Sequence, residues 1–193
     1  MTSTIATSDF GAIWTLGKFV IASYAALIVM YIIHLIIVSG LGLNPVTFVK
    51  KTGEVLMFAF TSRSSAGSLP LNVQTQKNRL GVPDGIANFS ASFGLSIGQN
   101  GCAGIYPAML AVMVAPAAGV EVNLQFILSV IGVVIISSFG VAGVGGGATF
   151  ASIIVLSTLN LPVALAGVLI SVEPLIDMGR TALNVNDSML AGT

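Results

Sequence analysis

The sequence predicts an all-α, polytopic membrane protein, and three observations carry that prediction. Only 7% of the 193 residues are charged, against roughly 25% in a soluble domain. Residues 85–120 and 122–172 contain no charged side chain, and a soluble domain of this size does not easily hide such runs. Where charge returns, it does so in a pattern. Asp177, Arg180, Thr181 and Asn184 stand at i, i+3, i+4 and i+7, so a helix places all four on one face.

The same composition excludes other classes. A net charge of zero gives no support for a nucleic-acid partner. Cys102 is the single cysteine, so no internal disulfide exists and the redox compartment is unreadable. Met1 to Phe10 lacks the basic start and small-residue cleavage site of a signal peptide. The chain stops soon after its charged stripe, so a fragment of a longer protein is expected.

The first transmembrane helix is predicted over 12–40. Phe19 to Ser39 is apolar apart from His34 and a few small polar residues, long enough to cross a ~30 Å hydrocarbon core. His34 reads either as a proton relay or as a histidine packed against a neighbour. The sequence favours the second reading, because a lone histidine on an aliphatic helix is usually structural.

Residues 45–78 read as a first re-entrant hairpin. Lys50 and Lys51 mark its start and Lys77 and Arg79 its end, so both ends are expected on the cytoplasmic side. Each apolar arm is about a dozen residues, reaching ~18 Å, near mid-membrane but not across. A Ser/Gly-rich, non-helical tip is expected at Ser62–Ser68. Irregular backbone at that depth is tolerated only inside protein or beside a watery cavity. An amphipathic surface helix with a polar loop is the alternative.

A broken transmembrane helix is predicted over 84–116. Its middle, Gly98-Gln-Asn-Gly-Cys102, interrupts the helix with two glycines and two amides. Unwound carbonyls there suit a cation, although membrane helices also tolerate glycine for packing alone.

Residues 123–160 read as a second re-entrant hairpin, with a tip at Ser138–Ala148. Four glycines between Gly143 and Gly147 cannot continue a helix stably. They allow close backbone approach and expose N–H groups to an anion such as a carboxylate. No Lys-Ser/Thr follows, so this is no nucleotide loop. Helix packing is the alternative, but packing glycines recur every four residues instead of clustering.

The final transmembrane helix is predicted over 162–191, opened by Pro162. Arg180 offers a planar fork suited to a carboxylate. Asp177 pairs either with a ligand ammonium or with Arg180 itself.

Three strings go further. Arg63-Ser-Ser-Ala-Gly-Ser-Leu-Pro70, Ala142-Gly-Val-Gly-Gly-Gly147 and Asp177-Met-Gly-Arg-Thr-Ala-Leu-Asn184 resemble, in order, the two hairpin tips and the last-helix signature of the dicarboxylate/amino acid:cation symporter family, which includes glutamate transporters. The resemblance covers nearly the whole chain. It implies a glutamate-transporter-like, inverted-repeat transport domain with two re-entrant helical hairpins and a broken helix, here a partial domain without its scaffold. It also implies an elevator-type movement, a homotrimer in the full-length protein and a multi-pass place in the cell membrane.

The resemblance implies site roles as well. Ser64 and Ser65 would offer hydroxyl and backbone groups to a substrate α-carboxylate. The backbone from Ala142 through Gly143, Val144 and Gly145 would close over it. Asp177 would hold the amino group. Thr181, Asn184 and Cys102 would complete the substrate cage, and Arg180 would bind a second carboxylate or a distal part of the substrate. Gly98, Asn100, Asn184 and Asp187 would lie at cation sites, with Na+ or H+ as the coupling ion and no other cofactor.

Two departures matter. The family's broken helix usually reads Asn-Met-Asp-Gly-Thr, so Asn100 replaces a carboxylate. The family's last acidic ion ligand lies four residues after the asparagine. Here Asp187 lies three after Asn184, with Ser188 in the expected place, a rotation of ~100° on a helix. This divergent pattern resembles most the branch of the family that takes up L-cystine in bacteria. The expected function is cation-coupled L-cystine symport, with glutamate, aspartate or C4-dicarboxylate symport as the alternative within the family. A re-entrant-loop channel is the alternative from another class. An enzyme is not expected, because Ser64 and Ser65 lack an evident base.

Overall fold

The computed structural model describes residues 10–143 and 145–193, and every regular element among them is helical. α1 (Phe10–Gly40) is the longest. Residues 14–40 within it and the trace from 84 to 117 are long and apolar enough to cross a membrane. Ile21, Ile28, Val29, Ile32 and Ile36 of α1 are all exposed. A helix apolar on its outer faces needs an apolar surrounding, which a bilayer provides.

The first hairpin is α2 (Pro45–Ser62) and α3 (Ser65–Thr75), the latter running into a π turn over Gln76–Leu80. Asn44 caps α2 by accepting from the Val46 and Thr47 amides at 2.9 and 3.1 Å, with Pro45 in the first turn. Arg63 ends α2 in the left-handed region, φ 54°. Ser64 then caps α3 by accepting from the Gly67 amide at 2.9 Å. That cap lets helix resume at Ser65, so the irregular tip is Arg63-Ser64 alone and shorter than the expected Ser62–Ser68. α2 is also longer than a dozen residues, because Lys50, Lys51 and Glu54 ride on its first turns ahead of the apolar part. The open ends of the hairpin meet: Arg79 pairs with Glu54 and donates to the Lys51 carbonyl at 3.4 Å.

The broken helix comprises α4 (Asp84–Ser96), an irregular stretch at 97–99, a π turn over Asn100–Ile105, and α5 (Tyr106–Ala117). The second hairpin comprises α6 (Leu124–Ser138) and α7 (Gly147–Thr158). In its tip, Gly146 adopts φ +84°, a conformation that favours glycine, and a Cβ on Gly147 would lie 2.8 Å from the Ala142 carbonyl. Val144 lies outside the described residues.

The last segment is not one helix over 162–191, as the sequence predicts, but two: α8 (Val163–Ile170) and α9 (Glu173–Gly192). The break at Ser171-Val172 has a covalent cause. Pro174 has no N–H to donate back to Ile170, and its ring crowds that carbonyl, so helix restarts with proline in the first turn of α9.

α9 is the axis of the fold. It packs against α1, α2, α3, α4 and the π turn at Asn100–Ile105. Its buried residues are apolar at Ile176, Leu183, Val185 and Met189, and polar at Arg180, Thr181, Asn184, Asn186 and Ser188. Small residues set the approach of α4: a Cβ on Gly94 would lie 2.6 Å from the Ser188 Cβ. A buried polar chain crosses the same interface. Asn72 donates to Ser188 Oγ at 2.7 Å, Gln76 to Asn72 at 2.9 Å, and Ser90 to Gln76 at 2.8 Å. Satisfied in this way, polar groups stay buried without the penalty of unmade hydrogen bonds.

Candidate functional site

Four charges form an alternating line where the first hairpin tip meets α9. Arg63 Nε donates to Asp177 Oδ2 at 3.2 Å. Arg180 Nη2 donates to Asp177 Oδ1 at 3.0 Å and pairs with Glu173. The Arg180 side chain is fully buried, and those of Asp177 and Glu173 are 14% and 12% exposed. A charge at that depth is costly unless paired, and Arg180 has two carboxylates. Its guanidinium carbon also lies 4.2 Å from the centroid of the Tyr106 ring, a cation–π contact. Yet Arg180 Nε and Nη1 and the Tyr106 hydroxyl are buried with no hydrogen-bond partner among the described residues.

Gln99 lies where several elements converge. Its Oε1 accepts from Ser65 Oγ of α3 at 3.3 Å and from Asn184 Nδ2 of α9 at 3.0 Å. Its Nε2 donates to the Gly94 carbonyl at 2.8 Å. From the second hairpin tip, the Gly143 amide donates to the Leu95 carbonyl at 2.8 Å, and a Cβ on Gly143 would lie 2.7 Å from Gln99 Oε1. The first tip therefore bonds Gln99 and the second packs beside it, and a side chain at 143 would require Gln99 and Leu95 to shift.

Asn184 faces the same segment. Its Oδ1 accepts from the Gly101 amide at 2.7 Å, and its Nδ2 also approaches Cys102 Sγ at 3.1 Å. Its amide therefore ties α9 to the irregular backbone. Thr181 and Cys102 are buried beside it, while Ala142 and Gly145 are exposed on the second tip. Ser64 Oγ is engaged as a helix cap but keeps its own proton to donate.

A second polar group lies further along α9. Asp187 Oδ1 pairs with His34 Nε2 of α1 at 2.8 Å and accepts from Asn100 Nδ2 at 3.1 Å. His34 Nδ1 meets Asn186 Nδ2 at 2.9 Å, so both ring nitrogens are partnered. Asp187, Asn100 and Gly98 line an open cleft of about 310 Å³ against Val134, Ile135 and Ser138 of α6. The oxygens Asn100 Oδ1 and Asp187 Oδ2 are buried without a hydrogen-bond donor among the described residues. Among the described residues, no cluster of three or more His, Cys, Asp and Glu side chains could hold a metal ion. Any cation here would rely on amide and backbone oxygens as well.

The sequence reading did not single out Arg63, Gln99 or Glu173. Glu173 had a signal: it precedes Asp177 by four and Arg180 by seven, so it extends the same helical face by one turn. Gln99 is one of the two amides that mark the interruption, but its partners depend on how a broken helix bends.

The fold and this geometry define a helical membrane protein organised around buried charge and amide chemistry. The chain belongs to the sodium:dicarboxylate symporter family, whose model matches residues 1–193. An L-cystine uptake protein TcyP from Bacillus licheniformis is 72% identical to it over 193 residues, which is 100% of this chain and 42% of that relative. Proteins of the same name from Shouchella clausii and Bacillus cereus are 71% and 67% identical, again over 100% of this chain and 41% and 42% of theirs. The chain thus spans about two fifths of the length of these curated relatives.

Proposed function

We propose that this chain forms the substrate-handling part of a cation-coupled amino acid symporter in the cell membrane, and that its substrate is L-cystine. The buried Arg180 carries the reading. It is held by Asp177 and Glu173, while two of its donor nitrogens meet no acceptor among the described residues. A zwitterion entering here exchanges one set of ion pairs for another. Its ammonium replaces Arg63 on Asp177, and a carboxylate takes the guanidinium fork. Exchange of this kind avoids leaving a desolvated charge alone. The name of the relatives, L-cystine uptake protein, supplies the solute.

Ser64 and Ser65 sit at the N-terminus of α3, where unpaired amides and the helix dipole favour the other carboxylate. The glycine tip of α6–α7 closes the site by sliding against Gln99. The two hairpins are re-entrant and belong to inverted repeats. Together with the broken helix and α9 they move as one body in an elevator-type, alternating-access cycle, within a homotrimer of the whole protein. Asn100 Oδ1 and Asp187 Oδ2 are the oxygens best suited to the coupling cation, because both are buried and meet no donor among the described residues.

Uptake of labelled L-cystine by the whole protein tests this. Saturable, concentrative uptake that falls when sodium is replaced or the proton gradient is collapsed is expected. Equilibrative flux without saturation would make the protein a channel. Uptake blocked by succinate or glutamate more strongly than by unlabelled cystine would move the substrate to the dicarboxylates.

A further inference from the structure

We infer that Glu173 is a specificity-determining residue that binds the second ammonium of a double-headed amino acid, beside the second carboxylate on Arg180. This rests on the symporter reading above and names the substrate class that the site accepts.

Arg63, Asp177, Arg180 and Glu173 alternate in sign along one line, two cations and two anions. An α-amino acid head carries its carboxylate and ammonium on the same carbon. It therefore needs a cation and an anion side by side, and Arg180–Glu173 is such a pair in direct contact. The first head is provided for elsewhere, by the α3 N-terminus and Asp177. Glu173 already serves as a counterion of the buried Arg180, and a second amino acid head gives its carboxylate an ammonium to bind as well.

The second, independent observation is the state of Arg180. The side chain is fully buried, yet Nε and Nη1 meet no acceptor among the described residues. Glu173 and Asp177 bond only Nη2. A carboxylate can thus join Arg180 without displacing both internal partners.

The pattern also acts against other solutes. Glutamate, aspartate and C4-dicarboxylates would bring a distal carboxylate to Arg180 with no ammonium beside it. Glu173 would then face like charge in a water-poor site, a repulsive element of the kind that sets specificity. A doubly zwitterionic ligand such as cystine matches the balanced site.

The test pairs a protein change with a ligand change in the whole protein. Competition with labelled L-cystine uptake is measured for unlabelled L-cystine and for the mixed disulfide of cysteine with 3-mercaptopropionate, which keeps both carboxylates but lacks one amino group. In the unsubstituted protein the desamino ligand is expected to compete roughly tenfold or more weakly, the scale of one lost charged hydrogen bond. With Glu173→Gln, cystine is expected to weaken by a similar factor and the two ligands to converge. Glu173→Asp keeps the charge but draws it back by one methylene, so cystine stays preferred by a smaller factor. If Glu173→Gln yields too little protein, the comparison of Glu173→Asp with the unsubstituted protein carries the test: the preference narrows as the carboxylate withdraws. A mere structural role for Glu173 would lower labelled uptake and leave the ratio of the two competitors as it was, and an unchanged ligand preference in both variants overturns the proposal. An absence of cystine uptake by the unsubstituted protein overturns the symporter reading instead, so the two failures are distinct.

Discussion

Arg180→Ala is expected to reduce L-cystine uptake by roughly a hundredfold or more, while the protein still inserts into the membrane. Removing one partner of a buried, hydrogen-bonded charge pair costs about 2–5 kcal/mol at a binding site, and every 1.4 kcal/mol is about tenfold. Here the loss is twofold in kind. The substrate loses its fork, and Glu173 and Asp177 lose the cation that holds both. Two carboxylates then share a buried site with only the half-exposed Arg63 nearby. Arg180→Lys separates charge from geometry. Lysine keeps the cation and relieves the carboxylates, but it offers neither the planar fork nor the same stacking on Tyr106. Its yield in the membrane is expected near that of the unsubstituted protein, with uptake still strongly reduced. Quantifying membrane protein alongside initial uptake rates checks both statements. Normal uptake by either variant removes Arg180 from the site.

Gln99→Leu carries the second large effect, on both stability and transport. Leucine approximates the side-chain volume but makes no hydrogen bond. The Gly94 carbonyl, Ser65 Oγ and one interaction of Asn184 Nδ2 lose their partner together. A buried polar group left unmade costs about 1–3 kcal/mol. Asn184 keeps Gly101 and Cys102, so the total is expected to fall at about 2–4 kcal/mol. The thermal unfolding midpoint of the purified whole protein should drop, and uptake should fall further than stability alone explains, because the first tip bonds this residue and the second packs beside it. A stable, fully active Gln99→Leu protein would show that the convergence on Gln99 has no consequence.

These two residues also mark what was legible in the sequence. Arg180 was legible because charge in a 51-residue neighbourhood without any stands out, and helical spacing alone aligns it with Asp177, Thr181 and Asn184. The irregular stretch between α4 and α5 was legible from clustered glycines and amides. The extent of each element was less so. A serine cap shortened the first tip, charged first turns lengthened α2, and Pro174 divided the last helix. Each is a local effect of one side chain on backbone hydrogen bonding, and it is easily lost beneath a hydropathy pattern. Long-range partners were not legible. Nothing in the one-dimensional spacing of His34 and Asp187 links them, and their contact exists only because α1 packs on α9. Gln99 is the same case: its partners come from α3, α4 and α9, and a chain read in order cannot bring them together.

The most direct measurement is the position of a bound, heavy-atom form of the substrate. Anomalous diffraction from crystals of the whole protein with L-selenocystine locates the two selenium atoms without reference to any assumed pose. The account predicts the pair of peaks between the Arg63–Ser65 tip and the Arg180 guanidinium, with one amino acid head toward α3 and the other toward Glu173. Peaks in the cleft beside Asp187, or against the exposed face of α1, would contradict it.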